Sequence, residues 1–446
     1  MSGRPRPSYQ DLLDSDSRPV PALLRQRSEA DFGTAEVPVA RYVSRAVHEL
    51  EVERLWKRVW QMACREEDLP AVGDFVVYEI ASLSVLVVRS AADAIRAFPN
   101  ACLHRGRLLK DRDGSCRELR CPFHGFTWSL DGKLIGMPTP WDFEHVDPEK
   151  LALPELRVGR WGGFVFVNFD PGCAPLDEHL AGLDAHFARW PLDRRWKQAH
   201  VARRMRANWK VVQEAFMEAF HVATTHPQLL PGIGDTNSQY DAFLNFSRAI
   251  TANGTPSPEL ARVPGEPAVF DAVTGRREGL PLPPLPEGAS ARRALAAGMR
   301  EALRPVCGSA AVDALCDAEL VDSFYYTVFP NFHPWGAYNR IVYRFRPDGD
   351  DPDRSIMEVM LLSPCPEGEK PPSAPLHWLG EDDDWTRAPE LGPLARIFNQ
   401  DSANIPQVQR GLHALQKPGV TLSRSQETKI RHFHALWEKW LEPGAR

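Results

Sequence analysis

At 446 residues the chain is long enough for two or three domains with their own cores. Its hydrophobic (43%) and charged (25%) fractions are those of an ordinary globular protein, and a net charge of -6 gives no reason to expect nucleic acid or an anionic membrane as a partner. No apolar run approaches the ~20 residues of a membrane span, the opening MSGRPRPSYQDLLDSDSRP has no apolar signal core, and eight cysteines are too sparse for a disulfide scaffold. A cytoplasmic protein is the expectation.

Residues 1–43, rich in Pro, Arg and acid, read as a poorly ordered N-terminal arm. A helix is expected from Ser44, a plausible N-cap, to about Trp60, with Val47, Leu50, Leu55, Trp56 and Val59 on its apolar stripe. Short strands and turns follow to residue 170: DFVVYEI, SVLVVRS, FTWSLDGKLI with its Asp-Gly turn at 131–132, and GGFVFVNFD. Residues 44–170 therefore form a small β domain. From 171 to 446 the pattern is α+β. A helix is expected over about 203–224, then a Pro-rich surface loop over 254–290 that is placed as a lid. Next come a helix at 291–304, strands near 322–329, 338–346 and 355–362, and a helix at 390–416. A last amphipathic helix carries Ile430, Phe433, Leu436, Trp437, Trp440 and Leu441.

Within the β domain, Cys102-Leu-His104 and Cys121-Pro-Phe-His124 each pair one thiol with one imidazole on a turn-like segment. A structural zinc site is the plainer alternative, but zinc sites usually pair Cys with Cys and His with His. One Cys and one His per loop suits a [2Fe–2S] centre of the Rieske kind, where two Cys hold one iron and two His the other. Gly114 and Gly125 allow close backbone approach to such a cluster. Cys116 lies outside the pattern and is read as packing.

The second constellation is FMEAFHVATTHPQ, residues 216–228. On an ideal helix, at about 100° per residue, His221 and His226 lie roughly 140° apart and cannot share a ligand. Pro227 disfavours a helical conformation at His226, so the helix is expected to end or distort there. On the wheel Trp209, Val212, Phe216, Phe220 and Ala223 share one face, and Glu214, Glu218 and His221 the opposite one. A surface helix with a solvated polar face is the plain alternative. A di-iron bundle needs two Glu-x-x-His motifs, and among the histidines only His221 has Glu three positions before it. A 2-His-1-carboxylate iron site needs one carboxylate from elsewhere. In LARIFNQDSANIPQVQRGLHAL the stripe Leu394, Ile397, Asp401, Ile405, Val408, Leu412, Leu415 has Asp401 as its one ionisable member. The acidic run Glu381–Asp384 is the rival source and reads as a solvated loop.

CLHRG…CPFHG, WGGFVFVNFDP, NWK…E…H….H and FNQD…Q together resemble the Rieske non-haem iron oxygenases, specifically their large (α) catalytic subunit, from about Tyr42 to the end. The resemblance implies a Rieske [2Fe–2S] domain followed by a helix-grip-like α+β catalytic domain. It implies one [2Fe–2S] cluster on Cys102, His104, Cys121 and His124, and one mononuclear Fe(II) on His221, His226 and Asp401. It implies a homotrimer in which Glu218, facing away from its own iron, links that iron site to His124 of the next subunit; a small β subunit is a further partner of some members. Members often have Glu-Asn where this chain has Glu214-Ala215.

The function expected is oxygenation of a hydrophobic, aromatic small molecule with O₂. Electrons come from a separate NAD(P)H reductase, with or without a ferredoxin, because the chain shows no G-x-G-x-x-G and no C-x₄-C-x₂-C motif. Monooxygenation or demethylation of a non-aromatic or steroid-like substrate is the alternative, and a pure Rieske electron carrier a third reading. Met217, Phe220, Phe329, Phe332 and Trp335 are the candidate pocket residues, with core packing equally compatible; His333 is expected at the surface.

Overall fold

The computed structural model describes residues 8–275, 284–365, 368 and 370–442. The chain divides into two units, one running to Val47 and then over Leu180–Pro347 and Asp351–Lys439, the other His48–His179 with Asp348–Asp350 and the stretch from Trp440 on. Helix α1 (Arg45–Glu51) starts after Ser44, whose Oγ accepts the Val47 N–H at 3.4 Å, and runs on as a π-turn, Val52–Trp56, that buries Leu55 and Trp56.

The smaller unit is built from short strands. β1 (Gln61–Arg65), β2 (Asp74–Ile80), β3 (Leu83–Arg89), β4 (Ile95–Pro99), β5 (Gly114–Ser115), β6 (Leu119–Arg120), β7 (Thr127–Trp128), β8 (Leu134–Gly136), β9 (Arg157–Trp161) and β10 (Phe164–Asn168) form three small sheets, ordered β9-β10-β1, β4-β3-β2-β5 and β6-β7-β8. The Asp131-Gly132 turn joins β7 to β8. Gly132 has φ +86°, and a Cβ there would meet the Phe98 ring at 2.7 Å, so only glycine fits. Phe75, Leu86, Phe98, Phe126 and Trp128 form a core that also takes in Cys102 and Cys121.

In the larger unit β11 (Arg195–Met205), β12 (Gln239–Ala242), β13 (Phe246–Thr251), β14 (Ser323–Val328), β15 (Phe332–Pro334), β16 (Ile341–Pro347), β17 (Ser355–Pro364) and β18 (His377–Leu379) make one eight-stranded sheet. Its order is β12-β13-β14-β15-β16-β17-β11-β18, antiparallel except for the β11–β18 pair. Helix α2 (Trp209–Glu214) packs on β16 and β17, and α5 (Leu394–Ala414) packs on α2; further helices of this unit are α3 (Val222–Thr225), α4 (Ala291–Cys307) and α6 (Thr428–Leu441). A β-rich domain followed by an α+β domain is the fold class read from the sequence.

Three expectations need correcting. The first three residues of the expected helix over 203–224 belong to β11, where Val201, Ala202 and Met205 are buried in pairing with β17 and that ladder overrides helical propensity; helix begins only at Trp209. The N-terminal stretch is not a loose arm from Ser8 onward. Tyr9, Leu13 and Leu24 are buried anchors, Tyr9 Oη donates to Asp322 at 2.9 Å, and Arg248 donates to the Leu23 and Gln26 carbonyls at 3.0 Å each. Composition averaged over forty residues hid these few apolar positions. The Pro-rich loop contains a helix, Glu266–Thr274, that buries Val269, Phe270 and Val273; residues 276–283 of the expected lid lie outside the described residues.

Candidate functional site

The two cysteine loops of the smaller unit share one hydrogen-bond frame. Cys102 N–H donates to Arg107 O at 2.8 Å and Gly106 N–H returns to Cys102 O at 2.8 Å; Cys121 N–H donates to Phe126 O at 2.8 Å and Gly125 N–H to Cys121 O at 3.0 Å. Gly106 (φ +77°) and Gly125 (φ +81°) occupy the same left-handed position, which closes each turn. The frames match, yet His sits two residues after the first Cys and three after the second. Both thiols are buried, and the His104 and His124 rings lie 4.7 Å apart at 73°.

The sulfurs sit over peptide donors: the His104 and Arg105 N–H groups reach Cys102, and those of Phe123 and His124 reach Cys121. Burial pushes both thiols up. At Cys121 these N–H groups, the Cys102 thiol and the Arg107 charge overcome it and leave the thiol below its ordinary range, while Cys102 stays above it. His104 Nδ1 is buried with no hydrogen-bond partner among the described residues. Two thiols, two imidazoles, backbone donors to sulfur and an orphaned ring nitrogen fit a Rieske cluster.

In the larger unit the decisive feature is a double break in the helix. Asn208 caps α2, its side chain accepting the Lys210 N–H at 3.1 Å. The helix stops at Glu214, and residues 215–221 form turns before α3 begins. The cause is competition for backbone donors: Ala219 N–H is taken by Tyr240 Oη at 2.9 Å, and His221 N–H by Glu218 Oε2 at 3.0 Å. A second break falls where Pro227 leads, at His226 with φ -126° and ψ 54°.

These breaks bring both imidazoles to α5. His226 Nε2 lies 2.9 Å and His221 Nε2 3.6 Å from Asp401 Oδ1, and the three ligand atoms lie within 4.8 Å of one another. Among the described residues this is the one such group of His, Cys, Asp or Glu side chains. Outer partners fix both rings. His221 Nδ1 donates to Glu218 Oε1 at 2.6 Å, and His226 Nδ1 donates to Gln400 Oε1 at 2.8 Å, itself held by Gln228 Nε2 at 2.7 Å. Each Nε2 lone pair is thereby left facing Asp401. Burial pushes the His221 imidazole down, but the Glu218 hydrogen bond and the Glu218 and Asp401 charges outweigh it and leave it above its ordinary value. Two imidazoles and one carboxylate converging without a further ligand among the described residues fit a facial iron site with open positions.

Asp401 is 4% exposed. The buried face of α5 carries Ala395, Phe398, Asp401, Ile405, Gln409 and Leu412, so the expected stripe is rotated, with Val408 50% exposed. The acidic run is engaged elsewhere: Glu381 pairs with Arg206 and Arg354, and Asp384 caps the turn Trp385–Arg387. Glu218 differs from expectation too, since its carboxylate is bound to its own His221 and does not face away from it.

The five candidate pocket residues do not form one wall. Met217, Phe329 and Phe332 are core, Phe220 is 51% exposed, and Trp335 packs on Tyr325 and Tyr343 at 5.4 and 6.2 Å. Phe398, one turn before Asp401, and Tyr343, on whose phenol the Asp401 charge acts, belong to a ring cluster with Phe216 and Phe345, with Phe216 5.0 Å from Tyr343 and Phe398 6.0 Å from Tyr343. Phe398 was readable as the residue one turn before Asp401; Tyr343 and Phe345 share a strand face that only the sheet register reveals. His333 is buried, not at the surface, because Thr327 and Gln213 hydrogen-bond its ring, and burial pushes its imidazole well down. Glu214 accepts from Tyr42 Oη at 3.1 Å and lies 3.0 Å from His434 Nε2, partners that sequence spacing gave no signal for.

Residues 185–443 match the family model for the ring hydroxylating alpha subunit (catalytic domain), and residues 59–147 match that of the Rieske [2Fe-2S] domain. The chain is 29% identical over 224 residues to the glycine betaine monooxygenase oxygenase subunit of Pseudomonas aeruginosa (50% of this chain, 51% of the relative). It is 30% identical over 194 residues to the carnitine monooxygenase oxygenase subunit of Escherichia coli (43% and 52%), and 31% over 186 to the anthranilate 1,2-dioxygenase large subunit of Acinetobacter baylyi (40% and 40%). The chain thus spans about half the length of the curated relatives it matches. Solved structures of similar fold include a quaternary ammonium Rieske monooxygenase (TM-score 0.66, 18% identity, 91% and 95% coverage) and a naphthalene 1,2-dioxygenase bound to phenanthrene (0.66, 18%, 94% and 94%).

Proposed function

Because the chain belongs to the ring-hydroxylating alpha subunits, with a Rieske [2Fe–2S] domain ahead of the catalytic domain, we propose that it oxygenates a small organic substrate with O₂. The observation that carries this reading is the convergence of His221 Nε2, His226 Nε2 and Asp401 Oδ1. When bound, the cluster on Cys102, His104, Cys121 and His124 supplies electrons one at a time, and iron at the triad supplies the oxygen chemistry.

The remaining roles belong to the chain itself. Glu218 and Gln400 hold the two imidazoles in the tautomer that leaves Nε2 free. Phe216, Tyr343 and Phe398 exclude water and hold the apolar body of the substrate. Glu218 also links to His124 of a second copy in a homotrimer, so that electrons cross between copies. A separate NAD(P)H reductase, with or without a ferredoxin or a small β subunit, supplies them. Monooxygenation consumes O₂, two electrons and two protons, inserting one oxygen atom and releasing water; ring dioxygenation inserts both atoms with the same electrons and protons.

A substrate with an aromatic body is the first reading, favoured by the ring cluster that adjoins Asp401 through Phe398 and Tyr343. The second is monooxygenation or demethylation of a non-aromatic quaternary ammonium compound, favoured by the names of the glycine betaine and carnitine relatives. Aromatic faces also receive such cations. The test is a substrate screen with a surrogate reductase, using aromatic acids, polycyclic aromatics, steroids and betaines, with products identified by mass spectrometry in ¹⁸O₂. Labelled product supports the reading. Iron content of two per chain and no product from any class would leave an electron carrier instead.

A further inference from the structure

Two buried hydrogen-bond donors, linked to the triad through Tyr343 and Phe398, have no partner among the described residues. Gln213 is wholly buried on α2; its Oε1 lies 3.2 Å from His333 Nε2, while its Nε2 has no partner among the described residues. Trp335 Nε1, also buried, has none. Both belong to one patch. His333 stands opposite Tyr343 in the β15–β16 register, and the Trp335 ring lies 6.2 Å from the Tyr343 ring. Tyr343 packs on Phe398 one turn before Asp401, and Asp401 is the charge that acts on its phenol.

The hydrogen-bond direction through His333 decides which amide atom is left over. Burial holds the imidazole neutral, so one ring nitrogen donates and the other accepts. Thr327 Oγ1, 3.1 Å from Nδ1, donates its hydroxyl hydrogen, and Nε2–H donates to Gln213 Oε1. The Gln213 amide hydrogens remain unspent. An indole N–H in a packed interior ordinarily finds an acceptor, and an unmade buried hydrogen bond is destabilising. A third unpaired atom, Asn331 Oδ1, lies beside Phe345, whose carbonyl accepts the Asn331 amide at 2.7 Å; it is an acceptor and stands outside the pair of donors.

We propose that Gln213 Nε2 and Trp335 Nε1 read an acceptor oxygen, carbonyl or carboxylate, on the substrate. The enzyme then selects an oxygen-substituted apolar molecule over a bare hydrocarbon. The inference rests on the oxygenase reading of the triad and adds the substrate group that the site selects.

The test is calorimetric binding of benzoate, benzamide and toluene to the full, iron-loaded chain. The wild type is expected to bind benzoate or benzamide about tenfold or more tighter than toluene. Trp335→Phe keeps a ring and removes the donor. Gln213→Glu keeps the acceptor for His333 and replaces the donor with a charge. Each is expected to weaken the oxygen-bearing probe about tenfold while leaving toluene unchanged. Benzamide bound as tightly as benzoate assigns a carbonyl, and benzoate alone a carboxylate. Toluene bound as tightly as both, no binding of either oxygen probe, or no response to either substitution overturns the proposal. Iron content of the same samples separates the two readings: fewer than three irons in the wild type fails the oxygenase reading, and three irons without oxygen preference fails only this one.

Discussion

Glu218 carries the most specific claim at the scale of single residues. Its short hydrogen bond to His221 Nδ1 fixes which nitrogen faces the triad, and removing its charge weakens the orientation without removing a ligand. Glu218→Gln is expected to retain all three irons yet slow product formation about tenfold or more; turnover at the wild-type rate would contradict the role. The proposed ligand residues were legible in the sequence, because Cys-x-His, Cys-x-x-His and a Glu-x-x-His followed by His-Pro are unusual patterns. The residues that hold helix α2, its break and the histidine rings in place were not. Gln400, Tyr240 and His434 are ordinary residues made relevant by contacts from 21 to 220 positions away, and no local pattern encodes such contacts.

At the scale of elements, the break at His226 is what turns two histidines 140° apart on an ideal helix into neighbours, and the break between α2 and α3 sets the direction in which that short segment leaves α2. The sequence showed the second break through Pro227 but not the first, since Ala215–Ala219 contains no helix breaker. The Tyr240 hydroxyl supplies it from β12 by taking the Ala219 N–H. Tyr240→Phe is therefore expected to destabilise this turn by about 1 kcal/mol and to lower mononuclear iron retention, with the Rieske absorption unchanged. A variant with full iron at both sites would remove Tyr240 from the account. The sheet makes a second, separate prediction. Glu358 on β17 is buried, yet the guanidinium groups of Arg344 and Arg346 and the His200 ring outweigh burial and hold its carboxyl well below the ordinary range. A depressed folded pKa contributes stability that is fully present above the unfolded value near 4.5 and is lost as pH falls through the folded one. Glu358→Gln should thus lower the melting temperature at pH 7, by an amount corresponding to ~3 kcal/mol. The gap from the wild type should begin to narrow as pH falls below about 4.5 and close only well below it; a gap already closed at pH 5 would refute the assignment.

On the scale of the whole molecule, the chain keeps its two proposed metal-binding constellations in separate units. Fold class was readable because the β domain announces itself by short alternating strands and the second half by mixed periodicity. The sheet order was not readable, since β16 and most of β17 are buried on both faces and show no simple alternation. The proposed transfer between copies requires an assembly, so light scattering is expected to give a trimer or a multiple of it, and a fully active monomer would contradict that step. The most direct measurement compares iron content and spectra of the wild type and His221→Ala. Three irons per chain should fall to two, with the Rieske absorption and paramagnetic signal intact and product formation abolished. Loss of the Rieske signal together with the third iron, or three irons retained with normal turnover, would contradict two independent metal sites.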